Sequence, residues 1–168
     1  MSIKRLFLLC CLAPTLLFFT SCSTDSVDTE IDAIEESPTN LFRAEVDDTT
    51  FQADNINVNL EGSLINIVGT ETETNRSVFL TFVLKDNVQA LGDSERNPNG
   101  NIAGYLLNDS NIGYLTNVID GILGEIKITN LDNENNTISG EFFFTAYNQE
   151  FTPVQLKNGV FENVPFER

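Results

Sequence analysis

From Leu41 onward, apolar residues return at every second position. Phe42, Ala44 and Val46 alternate with Arg43 and Glu45, and Phe51 and Ala53 resume the rhythm after Asp47-Asp48-Thr49. A period of two is the signature of a half-buried strand. Ile56, Val58 and Leu60 alternate with Asn57 and Asn59. Glu61-Gly62-Ser63 then offers a hairpin turn, in which glycine relieves the cost of a positive φ, before Leu64–Val68. These segments predict a meander with one wet face. Ser77–Leu84 (SVFLTFVL) is apolar on both sides and is expected to be covered on both faces. Lys85–Gly92 leads into a loop over Asp93–Asn101, whose Asn-Pro-Asn-Gly-Asn run holds little regular structure. Two further hairpins follow, Ile102–Leu107 with Ile112–Asn117 and Gly124–Leu131 with Thr137–Tyr147, and Val154–Phe161 closes the domain just before Pro165. No stretch beyond residue 41 combines helix length with helix period. About ten short strands with turn signals between them predict an all-β domain over 41–168, an antiparallel two-sheet sandwich with a closed calycin-like barrel as the alternative.

The first 40 residues follow a different pattern. Lys4 and Arg5 precede the apolar run Leu6–Phe19, and the small residues Thr20 and Ser21 come next, which reads as a signal peptide over 1–21. The run falls short of the roughly 20 apolar residues that span a bilayer. Phe19-Thr20-Ser21-Cys22 resembles the lipobox of bacterial lipoproteins, with Phe where Leu is usual. That resemblance implies a Cys22 that carries a diacylglyceryl group and a further acyl chain such as palmitate. Cys10 and Cys11 would leave with the signal, so no intrachain disulfide is expected. Ser23–Asn40 holds six acidic residues, no base and Pro38, and reads as a disordered tether within 22–40. Val27, Ile31 and Ile34 sit at helix spacing, but the Thr, Asp and Ser around them favour disorder. A coil of that length spans about 23 Å, against a domain radius of gyration of about 14 Å.

Charge narrows the function classes. The chain has 25 acidic and 9 basic residues. Removing residues 1–21 takes two bases and no acids, so the charge becomes 7 − 25 = −18. A phosphate backbone demands a basic patch, so nucleic acid is not an expected partner. Histidine is absent and no free thiol would remain, so Ser-His-Asp and Cys-His nucleophilic sites and ordinary zinc sites lack required parts. No catalytic residue, cofactor or metal is assigned. A glycosidase needs only two placed carboxylates, but the nineteen acids of the domain sit mostly at wet strand positions or in turns. Carbohydrate capture lacks support in a chain with no Trp and only Tyr105, Tyr114 and Tyr147. Asp93–Asn99 and Asp132–Asn136 space oxygen side chains as calcium loops do, without the sixth-position Gly or the distal Glu, and read as plain hairpin loops. Asp25-Ser26-Val27 and Asp48-Thr49-Thr50 resemble the short O-glycan acceptor of Bacteroidetes, which makes Ser26 and Thr49 candidate modification sites.

Three stretches carry a wider likeness. They are Leu41–Ala53, Gly124–Ala146 (GEIKITNLDNENNTISGEFFFTA) and Lys157–Phe166 (KNGVFENVPF). Together they resemble a family of unknown-function lipoproteins common in Bacteroidetes, with patterns F-x-A-x-V-D-G-x-x-F-x-A, G-x-I-x-I-T-x-L-D followed by V-S-G-x-F-x-F-T-A, and T-N-G-x-F-x-N-I-P-Y. Asp48 stands where the pattern has Gly, and Phe166 where it has Tyr. The likeness covers essentially all of 41–168. It implies an envelope lipoprotein with an all-β domain and brings no catalytic residue.

The expected function is a lipid-anchored, non-enzymatic binding or interaction module of the outer membrane. Its contact with the membrane runs through the anchor, and its ligand is open. A carboxylate-dependent polysaccharide hydrolase and a carrier of an apolar ligand inside a barrel are the alternatives. Ser23 lacks the Asp of inner-membrane retention, and Asp25 and Asp28 partly resemble a surface-export signal, so the periplasmic or outer face stays open. The candidate binding residues are Phe143 and Tyr147. In EFFFTAY, Phe142, Phe144 and Ala146 point to one side and Phe143, Thr145 and Tyr147 to the other. Phe143 is expected to pack under the Gln149–Pro153 loop. The alternative leaves Phe143 and Tyr147 as an exposed aromatic patch.

Overall fold

The computed structural model describes residues 40–93, 97 and 100–167. The signal segment, Cys22, Ser26 and the tether up to Thr39 lie outside the described residues. Among the described residues there are no helices and eleven strands. They are β1 (Leu41–Val46), β2 (Thr49–Gln52), β3 (Asn55–Glu61), β4 (Leu64–Glu71), β5 (Arg76–Val83), β6 (Val88–Leu91), β7 (Ile102–Leu107), β8 (Ile112–Leu115), β9 (Gly124–Asp132), β10 (Thr137–Tyr147) and β11 (Pro153–Pro165). All ladders between them are antiparallel, in the order β2-β1-β11-β10-β8-β7-β5-β4-β3, with β9 paired to β10 and β6 paired to β9.

β10 is where the sheet forks. One edge pairs with β11 along its length. The other edge is shared between β9, from Thr137 to Phe144, and β8, at the single pair Tyr147–Leu115. The sheet curls about this junction into a half-barrel. The two layers of the expected sandwich are thus two halves of one hydrogen-bonded sheet.

Local chemistry explains the curl. Asp47 and Asp48 have φ of 45° and 66°, and two successive left-handed residues make the twisted two-residue turn that joins β1 to β2. On β11, the register steps from Val160 to Lys157 while β1 steps only from Arg43 to Glu45, and a second slip lies opposite Ile138–Gly140. Each slip is a bulge that contains an asparagine at φ 50°, Asn158 and Asn163. Bulges bend a long strand and sharpen its twist.

Inside the curl, Phe42, Phe51, Phe82, Phe144 and Phe161 are almost fully buried, with Phe142 at 3 % exposure. Ring centroids lie 5.4 Å apart for Phe42–Phe142 and 6.4 Å for Phe82–Phe161, so both halves of the sheet meet in one aromatic core. Glycine makes room for it. A Cβ on Gly140 would collide with the Phe161 ring, and one on Gly159 with the Phe142 ring. The residues that carry the family resemblance are therefore occupied in building this core, its turn and its bulges.

Two polar clusters tie what the ladders do not. Arg76 Nη2 donates to the Thr50 carbonyl at 3.1 Å, its Nε donates to Glu71 at 2.8 Å, and Glu71 Oε1 accepts the Gln52 N–H at 3.3 Å. The β2 edge is thereby fastened to β4 and β5 by side chains. At the other end, buried Asn101 donates to the Ala90 carbonyl at 3.2 Å and accepts the Val83 N–H at 3.2 Å. Asn97 in turn donates to the Asn101 carbonyl at 2.8 Å.

Candidate functional site

Alternation places Glu141, Phe143, Thr145 and Tyr147 on the outward side of β10, opposite the buried Phe142, Phe144 and Ala146. Phe143 lies across from Glu125 on β9, and Glu141 from Lys127. The first bulge of β11 sits beside Phe143, because the pairing passes from Phe142–Gly159 to Phe144–Leu156. The result is an open groove of about 820 Å³, bordered by Arg43, Glu125, Lys127, Glu141, Phe143 and Lys157 among others.

Phe143 is 53 % exposed. The expected cover from the Gln149–Pro153 loop does not form, because that loop closes on itself. Asn148 Oδ1 accepts the N–H groups of Glu150 at 3.0 Å and Thr152 at 2.8 Å, and the Asn148 N–H donates to the Thr152 carbonyl. Tyr147 is partly buried at the fork opposite Leu115 and is not among the residues that border the groove. The structure brings Phe143 to the groove without Tyr147.

Sequence reasoning missed the basic residues. Of the nine Lys and Arg in the chain, Lys4, Arg5, Arg96 and Arg168 lie outside the described residues. Three of the remaining five, Arg43, Lys127 and Lys157, border this groove beside two acids, Glu125 and Glu141. Locally the charge is 3 − 2 = +1, in a chain of −16. Strand parity puts each base outward, but only the order β9-β10-β11-β1 makes them neighbours. Lys127 lies 3.7 Å from Glu141, and Lys157 3.9 Å from Asp48. Exposed pairs at such distances contribute little and leave the cations free to meet a ligand.

Of the two runs that resemble calcium loops, residues 94–96, 98 and 99 of the first lie outside the described residues, and the side chains described below are otherwise engaged. Asp132 accepts from the N–H groups of Glu134 and Asn135 and from the Asn135 side chain at 2.7 Å, and these bonds hold its carboxyl below the usual range. The Asn97 amide is turned inward, 6 % exposed. Among the described residues, no group of three His, Cys, Asp or Glu is arranged to hold a metal ion. Thr49, the described member of the two candidate glycan acceptors, is exposed beside the β1–β2 turn.

What the structure defines is an all-β domain with an open groove of mixed charge on its sheet. Residues 38–165 match the family described as Domain of unknown function (DUF6252), and the chain belongs to it. No curated protein and no solved structure matches the chain.

Proposed function

We propose that this protein is a non-enzymatic binding module of the bacterial cell envelope, lipid-anchored through Cys22 at the outer membrane, whose groove around Phe143 contacts its ligand or partner. The observation that carries the binding part is the half-exposed Phe143 ring, surrounded by Arg43, Lys127 and Lys157 on a chain otherwise dominated by acids. Exposed aromatic rings within a polar rim mark contact surfaces. The anchoring part is supported by the sequence pattern ending at Cys22.

Glu125 and Glu141 give the hydrolase alternative its best pair, since both border the groove on adjacent strands. A general acid has to be desolvated to keep its proton at neutral pH, and the Glu141 side chain is 60 % exposed beside Lys127. Binding is therefore the better reading. The carrier alternative meets an interior occupied by the phenylalanine cluster.

Phe143→Asp tests the groove. A contact residue predicts a melting temperature close to that of the parent, together with loss of species captured from native envelopes by the unsubstituted protein. A destabilisation of several kcal/mol, as expected for a charge placed in a core, would remove the proposal.

A further inference from the structure

We infer that the outward face of β3, β4, β5 and β7 is a second binding surface, suited to an uncharged, hydroxyl-rich chain such as a neutral polysaccharide. It is independent of the Phe143 groove. The outward positions from Asn55 to Asn59, Leu64 to Thr70, Ser77 to Val83 and Ile102 to Leu106 hold no charged side chain, and Glu61 at the end of β3 is the exception. The corresponding face of β1, β9, β10 and β11 carries Arg43, Glu45, Glu125, Lys127, Glu141 and Lys157. One acidic chain thus presents a charged sheet face and an almost uncharged one.

The uncharged face is furnished with amide, hydroxyl and ring. A shallow hollow of about 410 Å³ is bordered by Asn59, Asn66, Thr81, Phe79 and Leu106 among others, with Glu61, the one acid of the face, and Leu64 at its edge. Asn66 Oδ1 accepts from Thr81 Oγ1 at 2.9 Å, which fixes the amide and leaves its Nδ2 as a donor. The Phe79 ring leans from β5 across Gly104 of β7, where a Cβ would collide with it. It therefore lies over the sheet as a platform, with amides on the β3–β4 side. Hydroxyl groups can bond the amides while the C–H face of a sugar ring rests on Phe79, the combination of apolar lining and a few placed polar groups that ligand sites use. A neutral chain feels no long-range repulsion from the −16 protein, whereas an anionic one does.

A second copy of the protein fits less well. The face does carry an apolar stripe of Leu64, Val68, Phe79 and Leu106, but two copies that each carry −16 repel one another on approach.

The test is affinity electrophoresis of the full-length protein through gels containing dextran, laminarin or galactomannan, with polygalacturonate as the anionic comparison. At least one neutral polymer should retard the protein, and added salt should not abolish the retardation, since screening acts on charges. Asn59→Asp should weaken retardation about tenfold with an unchanged melting temperature, Phe79→Ala should also weaken it, and Phe143→Asp should leave it intact. Failure of every neutral polymer overturns the inference. Retardation indifferent to Asn59→Asp, or a concentration-dependent dimer dissolved by Phe79→Ala, overturns it as well.

Discussion

Phe151 stands in the left-handed region at φ 61° with 65 % of its surface exposed. A bulky side chain there costs about 1 kcal/mol or more relative to glycine, and its exposed ring recovers little of that by burial. The same backbone region at Asn75, Asn111, Asn136, Asn158 and Asn163 is occupied by asparagine, which tolerates it. Phe151→Gly should therefore raise stability by about 0.5–1 kcal/mol after the extra freedom of glycine in the unfolded chain is allowed for. That corresponds to roughly 2–4 °C in a thermal melt of a domain this size. A fall in melting temperature would mean that the ring makes packing contacts worth more than the strain. Alternation also made the direction of Phe143 legible in the sequence. Its exposure was not, because that depends on where the Asn148 loop folds.

Among the elements, strands with an unbroken two-residue period were the legible ones, and β10 has the predicted bounds. β11 was not read in full. Its buried positions run Val154, Leu156, Gly159, Phe161 and Val164, so the parity slips at both bulges and the alternation breaks before the strand ends. β6 has only four residues, too few for its alternation to stand out from the loop expected to follow it. The Arg76–Glu71 seam was equally hidden, since nothing local shows that β2 ends beside β4. With side chains only 14 % and 17 % exposed, this pair is largely shielded. Burial alone would raise the Glu71 carboxyl. The hydrogen bonds from Thr74, Arg76 and the Gln52 N–H, with the Arg76 charge, outweigh burial and hold it below its ordinary 4.5. A folded pKa below the unfolded one stabilises above the unfolded value and is lost as pH falls through the folded one. Arg76→Ala should cost about 2 kcal/mol at pH 7, less than a fully buried pair. Urea unfolding of Glu71→Gln should show a deficit at pH 7 that narrows below about pH 4.5. A deficit independent of pH would mean that the seam is held by packing alone.

Across the whole molecule, charge separates the two sheet faces, and the proposed anchor decides how they are displayed. A protein of −18 after loss of residues 1–21 is repelled by anionic headgroups. No helix among the described residues is long and apolar enough to cross a membrane. The exposed large apolar residues, Leu64, Val88, Ile112, Ile122, Phe143 and Phe151, come from strands and loops of both halves of the sheet. Under the proposal, membrane association then rests on the acyl chains at Cys22, each buried CH₂ contributing about 0.8 kcal/mol. Cys22→Ser removes the attachment atom without touching the 41–168 domain. The substituted protein should appear either as a soluble species or as an uncleaved precursor, with the far-UV spectrum of a β domain in both cases. Fractionation of cells followed by intact mass measurement checks this, since the parent should carry the mass of its lipid and the variant should not. A processed Cys22→Ser protein that still sediments with membranes would overturn the anchor while leaving both proposed binding surfaces standing, because neither depends on Cys22.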